Sequence, residues 1–402
     1  MRRKLLFIGA MVGLAVLLGA TTTTATSHSR AIEVAPGYKL VKVATGLTNL
    51  PTSMAFGRWG EIYVSSMEGF GTPTGKITVI PCYGKPWVLV KPGRLTSPMG
   101  LAVHPKTGHV YVSHQYFVNP KLPPAGGLFD PDNVKSRISI VHPKSGHMTT
   151  FVEGLPSLIF GELPVPMTGS SGMDFDSAGN LYVAQSINDK SRAAGDPHQS
   201  CILKINAYGK VAVFATGLRA PYDVRVGREN CYGQALYCYA GDNGEGAENE
   251  DDDSELESRQ YYDELNLVVP GKDYGWPEGG PDHPDNSHVG PLWNFDMNPA
   301  NAYWPVPAWP VPTGIDSMAG DCGDIVFLAM FNCPSMFQAD LGSIEMFSGI
   351  NGTDRKVLAK YVDGPIDVRL SPWGHRLYFM EYSTGDVYYI APYKFWTKKR
   401  KK

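Results

Sequence analysis

Ser53-Met-Ala-Phe-Gly-Arg-Trp-Gly-Glu-Ile-Tyr-Val64 is the stretch that decides how this chain folds. Apolar residues alternate on both sides of a glycine-bearing turn, the period-two pattern of two antiparallel strands. An aromatic residue sits near the middle of the second strand. The same unit returns at Met99–Val112 and Gly172–Val183, more loosely at Val224–Tyr239 and Val368–Phe379, and in degenerate form at Ile315–Leu328. Aligned on Tyr63, Tyr111, Tyr182, Tyr237, Phe327 and Tyr378, the copies stand 48, 71, 55, 90 and 51 residues apart. A recurrence of this length marks a repeat of one supersecondary unit, which buries its faces only against its neighbours. The short intervals hold one four-stranded unit each, and the long ones predict insertions at 116–135 and 243–310.

Each hairpin is followed by a third apolar strand, at Lys76–Ile80, Arg137–Val141, Cys201–Ile205, Glu264–Val268, Ser343–Phe347 and Asp386–Ile390. Fourth strands follow at Trp87–Val90, Met148–Val152, Val211–Ala215 and Lys356–Tyr361. One outer strand belongs between residues 273 and 310 without a clear position, and the last unit has none after Ile390. The missing strand is at the other end of the chain. Leu40-Val-Lys-Val-Ala-Thr-Gly-Leu47 reads like Val211-Ala-Val-Phe-Ala-Thr-Gly-Leu218, itself an outer strand leading into the next unit. The pattern predicts an all-β, six-bladed β-propeller over residues 30–393. Its ring is closed by residues 40–44 pairing with 386–390, which protects the sheet edges.

The ends of the chain have their own character. Arg2, Arg3 and Lys4 precede a short apolar run, Leu5–Leu18, and then small and hydroxyl residues. That order predicts a signal peptide over residues 1–29, cleaved between Ala20 and Ser29, and a secreted or extracytoplasmic protein. No later segment is apolar enough to span a bilayer, so no transmembrane segment is expected after cleavage. The basic end, residues 394–402, reads as a frayed tail. The net charge of −3 argues against a nucleic-acid partner. Six cysteines in an exported chain point to disulfides, and Cys231 with Cys238 and Cys322 with Cys333 are close enough for local bridges. Asn351-Gly-Thr353 is a glycosylation sequon that matters only in a eukaryotic host.

In such a ring, residues just before each inner strand and just after each second strand share one face. The first set includes Thr52, Thr168, Ser170, Arg219, Tyr222, Asp223, Asp316 and Asp367. The second includes Glu68, His114, Gln115, Gln185, Asp242, Glu245 and Glu381. Loops and rims on a rigid scaffold are where function concentrates. A small-molecule or glycan ligand at the tunnel mouth is the expected partner, with the protein a monomer or dimer. Arg219, in Gly217-Leu-Arg-Ala-Pro221, can hold an anion or a carbonyl oxygen, or pair with Asp223 or Asp242. The acidic stretch Asp242–Glu257, with Asp263 and Glu264, offers hard oxygen donors of the kind calcium takes, without EF-hand spacing. Aromatics crowd Tyr274–Trp309 and suit either a sugar cleft or a loop packed over the ring. His104, in the turn His104-Pro-Lys-Thr-Gly108, lies away from the site face and reads as a surface residue.

Thr216-Gly-Leu-Arg-Ala-Pro221, Asp242-Asn-Gly-Glu245, Asp263-Glu-Leu-Asn266 and Asp273-Tyr-Gly-Trp-Pro277 follow one another in that order. Together they resemble the glucose/sorbosone dehydrogenase family, the soluble quinoprotein sugar dehydrogenases. The resemblance implies a propeller holding pyrroloquinoline quinone and calcium. A histidine would take the sugar hydroxyl proton, an arginine would polarise a quinone oxygen, and calcium would act as a Lewis acid. On this resemblance Arg219 matches the arginine, with Thr168 and Tyr222 beside the cofactor. Asp242, Gly244, Glu245, Asp263 and Glu264 fall at the calcium loop. The chain departs from the family where Thr168-Gly-Ser-Ser171 replaces the segment carrying the histidine. It also departs at Ala220 for an asparagine, Glu245 for a proline and Ile366 for an arginine. His114 is the histidine that the repeat places on the site face, as a substitute base. Three functions are therefore open: a quinone-dependent oxidation of an aldose or polyol, a non-catalytic glycan- or protein-binding propeller, and a calcium-dependent lactonase or esterase.

Overall fold

The computed structural model describes residues 31–69, 71–120, 133–160, 163–186, 195–227, 237–243, 263–275, 293–294, 311–320, 323–332, 341–348 and 354–393. Among them are six antiparallel four-stranded blades. Blade one is Pro51–Phe56, Ile62–Ser66, Gly75–Ile80 and Trp87–Leu95; blade two is Leu101–Val103, Val110–Phe117, Val134–Val141 and Met148–Pro156. Blade three is Ser170–Phe175, Leu181–Gln185, Cys201–Ile205 and Val211–Thr216; blade four is Pro221–Val226, Cys238–Asp242, Glu264–Val268 and Trp293–Asn294. Blade five is Val311–Gly320, Gly323–Phe331, Gly342–Ser348 and Asp354–Val362. Blade six takes Pro365–Leu370, Leu377–Glu381 and Val387–Pro392 from the end of the chain and Tyr38–Ala44 from its beginning. Neighbouring inner strands touch in sequence around the ring, and that of blade six touches that of blade one.

The closing strand pairs in the expected register, with Leu40 opposite Ile390 and Lys42 opposite Tyr388. A latch reinforces it. Asp386 accepts from Lys42 Nζ at 2.6 Å, Thr45 Oγ1 at 2.7 Å and the Gly46 N–H at 2.9 Å. The strand that had no clear position in sequence is Trp293–Asn294, two residues paired with Leu265 and Glu264. Two further features have no sequence signal of their own. Glu33–Val34 adds a fifth strand to blade five, and a small hairpin, Leu158–Phe160 with Leu163–Met167, lies between blades two and three.

The aromatics that mark the repeat are all buried. Period-two alternation sends each toward the neighbouring blade. Tyr111 meets Phe151 at 5.1 Å and Phe175 of blade three at 4.9 Å, both edge-on. Each such ring removes roughly 150–250 Å² from water, so the aromatic layer is a main source of blade-to-blade cohesion. His104 joins this layer, 5.0 Å from Phe175, and is therefore half-buried rather than a plain surface residue. Its Nδ1 accepts the Lys106 and Thr107 N–H groups and so closes its own turn.

The inner strands carry a second repeat, at the third and fifth positions. Blades four and six read Pro221-Tyr-Asp-Val-Arg225 and Pro365-Ile-Asp-Val-Arg369, while blades three and five carry Gly172 with Asp174 and Gly314 with Asp316. Each aspartate joins its strand to the next. Asp174 accepts the Val226 N–H, Asp223 that of Ile315, Asp316 that of Leu370 and Asp367 that of Met54. Ser53 does the same for Leu101. The glycines leave the room this needs, since a Cβ on Gly172 would lie 1.8 Å from Asp223 Oδ1. Arg369 donates to the Met54 and Ile315 carbonyls and to Asp223, and Arg225 to the carbonyls of Ile315 and Met173. Two buried cations thus stand among four carboxylates on the axis. Burial pushes Asp223 up to about 6 and Asp367 well above its ordinary range.

Cys82, Cys201 and Cys238 are free thiols. The local bridge suggested by the Cys231 and Cys238 spacing is therefore not made. Cys238 opens the second strand of blade four and lies in the apolar interface with Tyr182 and Phe214. Cys322 and Cys333 lie outside the described residues, as do residues 1–29, 394–402 and the sequon.

Candidate functional site

Inner strands run from one face to the other, so the strand starts, the ends of second strands and the loops after them form one mouth. Arg219 reaches it through a tight entry. Gly217 has φ +77°, and a Cβ there would lie 2.0 Å from Asp273 Oδ1 and 2.6 Å from the Tyr274 N, so only glycine fits. Thr216 N–H donates to Lys272 O at 3.0 Å, and Tyr274 N–H to Thr216 O at 2.9 Å. The motifs that are far apart in sequence are thus bonded backbone to backbone. Tyr274 itself is buried and donates its hydroxyl to Leu267 O at 2.5 Å, so this aromatic belongs to packing.

Asp242 closes the same clasp. Its carboxylate accepts the Arg219 N–H at 2.9 Å and the Ala220 N–H at 2.7 Å, while the Asn243 N–H returns to Ala220 O. The buried Arg219 guanidinium donates from Nη1 to Asn243 O at 3.3 Å. Asp242 stands directly opposite Glu264 on the adjacent strand. Burial pushes Asp242 up to about 7. Burial and the Asp242 charge push Glu264 to about 8. Two carboxyl groups that resist ionisation together form a donor pair suited to a hard divalent cation. Calcium therefore fits the chemistry of Asp242 and Glu264, with Asp263 beside them, and would neutralise the pair. Gly244 and Glu245 lie outside the described residues. Among the described residues no group of three or more His, Cys, Asp or Glu is arranged to hold a metal ion.

The other expected groups are engaged elsewhere. His114 is buried in blade two, with Nδ1 at 2.9 Å from Gln115 O and Nε2 at 2.8 Å from Ser139 Oγ. A carbonyl accepts only, so Nδ1 carries the proton and Nε2 accepts the Ser139 hydroxyl. Burial lowers this imidazole to about 4. Thr168 donates to Ser136 Oγ at 2.7 Å, and Ser136 to Pro156 O at 2.9 Å. Ser170 donates to Gln185 Oε1 at 2.6 Å and Gln185 Nε2 to Pro156 O at 2.9 Å. This hydroxyl–amide network sews blades two and three together at Thr168-Gly-Ser-Ser171. Only Thr168, Ser170 and Gln185 were visible in sequence as rim residues.

Tyr222 crosses the axis. Its hydroxyl donates to Thr52 O of blade one, opposite in the ring, at 3.3 Å. Burial, then Asp367, Tyr382 and Asp223, raise this phenol well above its ordinary value. Asp223, Asp316 and Asp367 lie within the strands rather than at the rim and belong to the axial network. Arg225 and Arg369 escaped the sequence reading, although the repeated Asp-Val-Arg was the signal that could have found them. Three groups expected to hold a quinone (Arg219, Thr168 and Tyr222) are each committed to protein partners. They do not fit a quinone clamp as they stand.

In sequence the chain matches no family model and no curated protein. In structure it is similar to a putative oxidoreductase (glucose dehydrogenase) from Thermus thermophilus. The TM-score is 0.62 at 16% identity, covering 88% of this chain and 100% of the other. It is similar to the PQQ-bound aldose sugar dehydrogenase from Streptomyces coelicolor, with TM-score 0.59, 16% identity and coverage of 89% and 99%. The PQQ domain of pyranose dehydrogenase from Coprinopsis cinerea, in its holo form, gives 0.54 at 12% identity, covering 90% and 97%. At these identities the likeness establishes the shared ring.

Proposed function

We propose that this chain is an exported, sugar-dehydrogenase-like propeller that binds a sugar or related polyol at the mouth above blades three and four without oxidising it. One observation carries this reading: the side chains that would have to move a proton are already spent inside the ring. A general base needs a lone pair within reach of the substrate hydroxyl. The Nε2 lone pair of His114 is held by Ser139 and the Thr168 hydroxyl is turned onto Ser136. The mouth keeps polar groups for recognition, the Asp242–Glu264 carboxyl pair set on the Arg219 clasp.

A second reading, oxidation of an aldose with pyrroloquinoline quinone and calcium, is favoured by the Asp242–Glu264 pair. The two carboxyl groups face each other across adjacent strands and offer hard oxygen donors. The PQQ-bound relatives add weight to it. Calcium would be held by Asp242 and Glu264 and would supply Lewis acidity and charge neutralisation.

Calorimetric titration with a panel of aldoses and polyols, followed by dye reduction after adding calcium and pyrroloquinoline quinone, separates the two. Saturable sugar binding without dye reduction supports the binding reading. Cofactor-dependent reduction overturns it in favour of oxidation, and absence of sugar binding overturns it outright.

A further inference from the structure

The face opposite the mouth has a distinct chemistry. Turns between first and second strands, and between third and fourth, lie on it. Every strongly exposed aromatic side chain among the described residues is in one of those turns or at a strand end on that face: Trp59, Tyr83, Trp87, Tyr208, Trp373 and Tyr393. The concentration is greatest at blades one and six. Trp373 lies over Gly60, where a Cβ would come within 2.4 Å of its ring, so the two tryptophan turns adjoin. Cys82 Sγ donates to Trp59 O at 3.1 Å and brings in the turn that carries Tyr83. Trp59 is 76% exposed, Tyr83 93% and Trp373 57%. Nothing in the packing of the ring calls for three large rings in water at one spot. Exposed apolar surface gathered on one face marks an interaction site.

The charges of that face match. In blades one to three its turns carry the exposed cations Arg58, Lys85, Lys106, Lys144 and Lys210. The chain also leaves the ring there. The last strand ends at Pro392 opposite Tyr38, and the Tyr393 N–H donates to Gly37 O.

We propose that this face docks on an anionic lipid surface and leaves the tunnel mouth facing water. Tryptophan and tyrosine favour the headgroup boundary, where the ring body is apolar and the polar edge stays wet. Clustered lysine and arginine add attraction to acidic headgroups, and the two signals together hold a peripheral protein where either alone does not. An acidic polymer would use the cations and leave the exposed indoles unexplained.

The experiment is co-sedimentation of the chain from residue 30 with vesicles of phosphatidylcholine alone and of equimolar phosphatidylcholine and phosphatidylglycerol. It compares the intact chain, the double variant Trp59→Ser with Trp373→Ser, and the double variant Arg58→Ser with Lys85→Ser, each checked by circular dichroism and melting temperature. Binding is expected to the anionic vesicles only, to weaken with salt, and to drop about tenfold or more in each variant. As a readout on the intact chain, brominated lipid should quench its tryptophan fluorescence. Equal binding to both vesicles, no quenching, binding unaffected by the tryptophan changes, or retention by a soluble polyanion without vesicle binding would each overturn the proposal.

Discussion

Arg369 of blade six and Asp223 of blade four meet on the axis, Nη1 donating to Oδ2 at 2.9 Å, with blade five's Ile315 donating its N–H to the same oxygen. One contact thus couples three blades. Both side chains are buried, so their charges are far from water. The ring is held on its axis by charged hydrogen bonds and between its blades by aromatic packing.

Replacing Arg369 with Ala should cost about 3–5 kcal/mol, because Asp367 is left buried without its ion-pair partner and Asp223 keeps only Arg225, at 3.5 Å. Chemical unfolding followed by fluorescence measures this. A loss below about 1 kcal/mol would show that the pair contributes little.

Glycine at 172 is a steric requirement. An alanine Cβ would stand 1.8 Å from Asp223 Oδ1 and 2.6 Å from its Cα, which is backbone and cannot swing aside. Gly172→Ala should destabilise by at least the roughly 1–3 kcal/mol of ordinary overpacking. Melting temperature reads the loss, and an unchanged value for Gly172→Ala would contradict the close approach of the two strands.

Stability should fall as pH rises from about 5 to 8.5. Asp242 and Glu264 have folded-state values raised to about 7 and 8, so the folded protein holds more protons than the unfolded chain across this range. That contribution is present at low pH and is lost as pH passes those values. Asp223, raised to about 6, acts in the same direction at the lower end of the range. Calorimetric melting of Asp242→Asn with Glu264→Gln should show a flatter profile above pH 6.5, and millimolar calcium should flatten the parent's profile if it binds there.

His114 should stay neutral, with its proton on Nδ1, throughout pH 5.5–8. Its folded value is lowered to about 4 by burial, so the stability it contributes is lost only as pH falls from about 6.5 toward 4. Long-range nitrogen–proton NMR of the imidazole distinguishes the tautomers directly. An imidazole titrating near 6.5 would contradict the Gln115 and Ser139 bonds. His114→Ala should cost about 1–3 kcal/mol, since those partners are left unpaired.

Much of the candidate site was legible because it is made of local segments. Arg219, Asp242 and Glu264 follow from short motifs whose glycines and strand registers are written in adjacent residues. The purposes of Thr168, Tyr222 and His114 were not legible. Their partners Ser136, Thr52 and Ser139 come from other strands, and for Thr168 and Tyr222 from other blades. A hydroxyl or imidazole has the same composition whether it faces a ligand or a neighbouring carbonyl.

By itself the sequence determined the six blades, the aromatic position in each and the pairing of the chain's two ends, because alternation and repeat length are properties of consecutive residues. Only the tertiary structure decided that Cys238 would face a blade interface, that Glu33–Val34 would extend blade five, and that Asp223 and Arg369 would fill the axis. Those outcomes depend on which strand lies beside which once the ring has closed. Closure brings together residues as distant as Lys42 and Asp386, 344 positions apart.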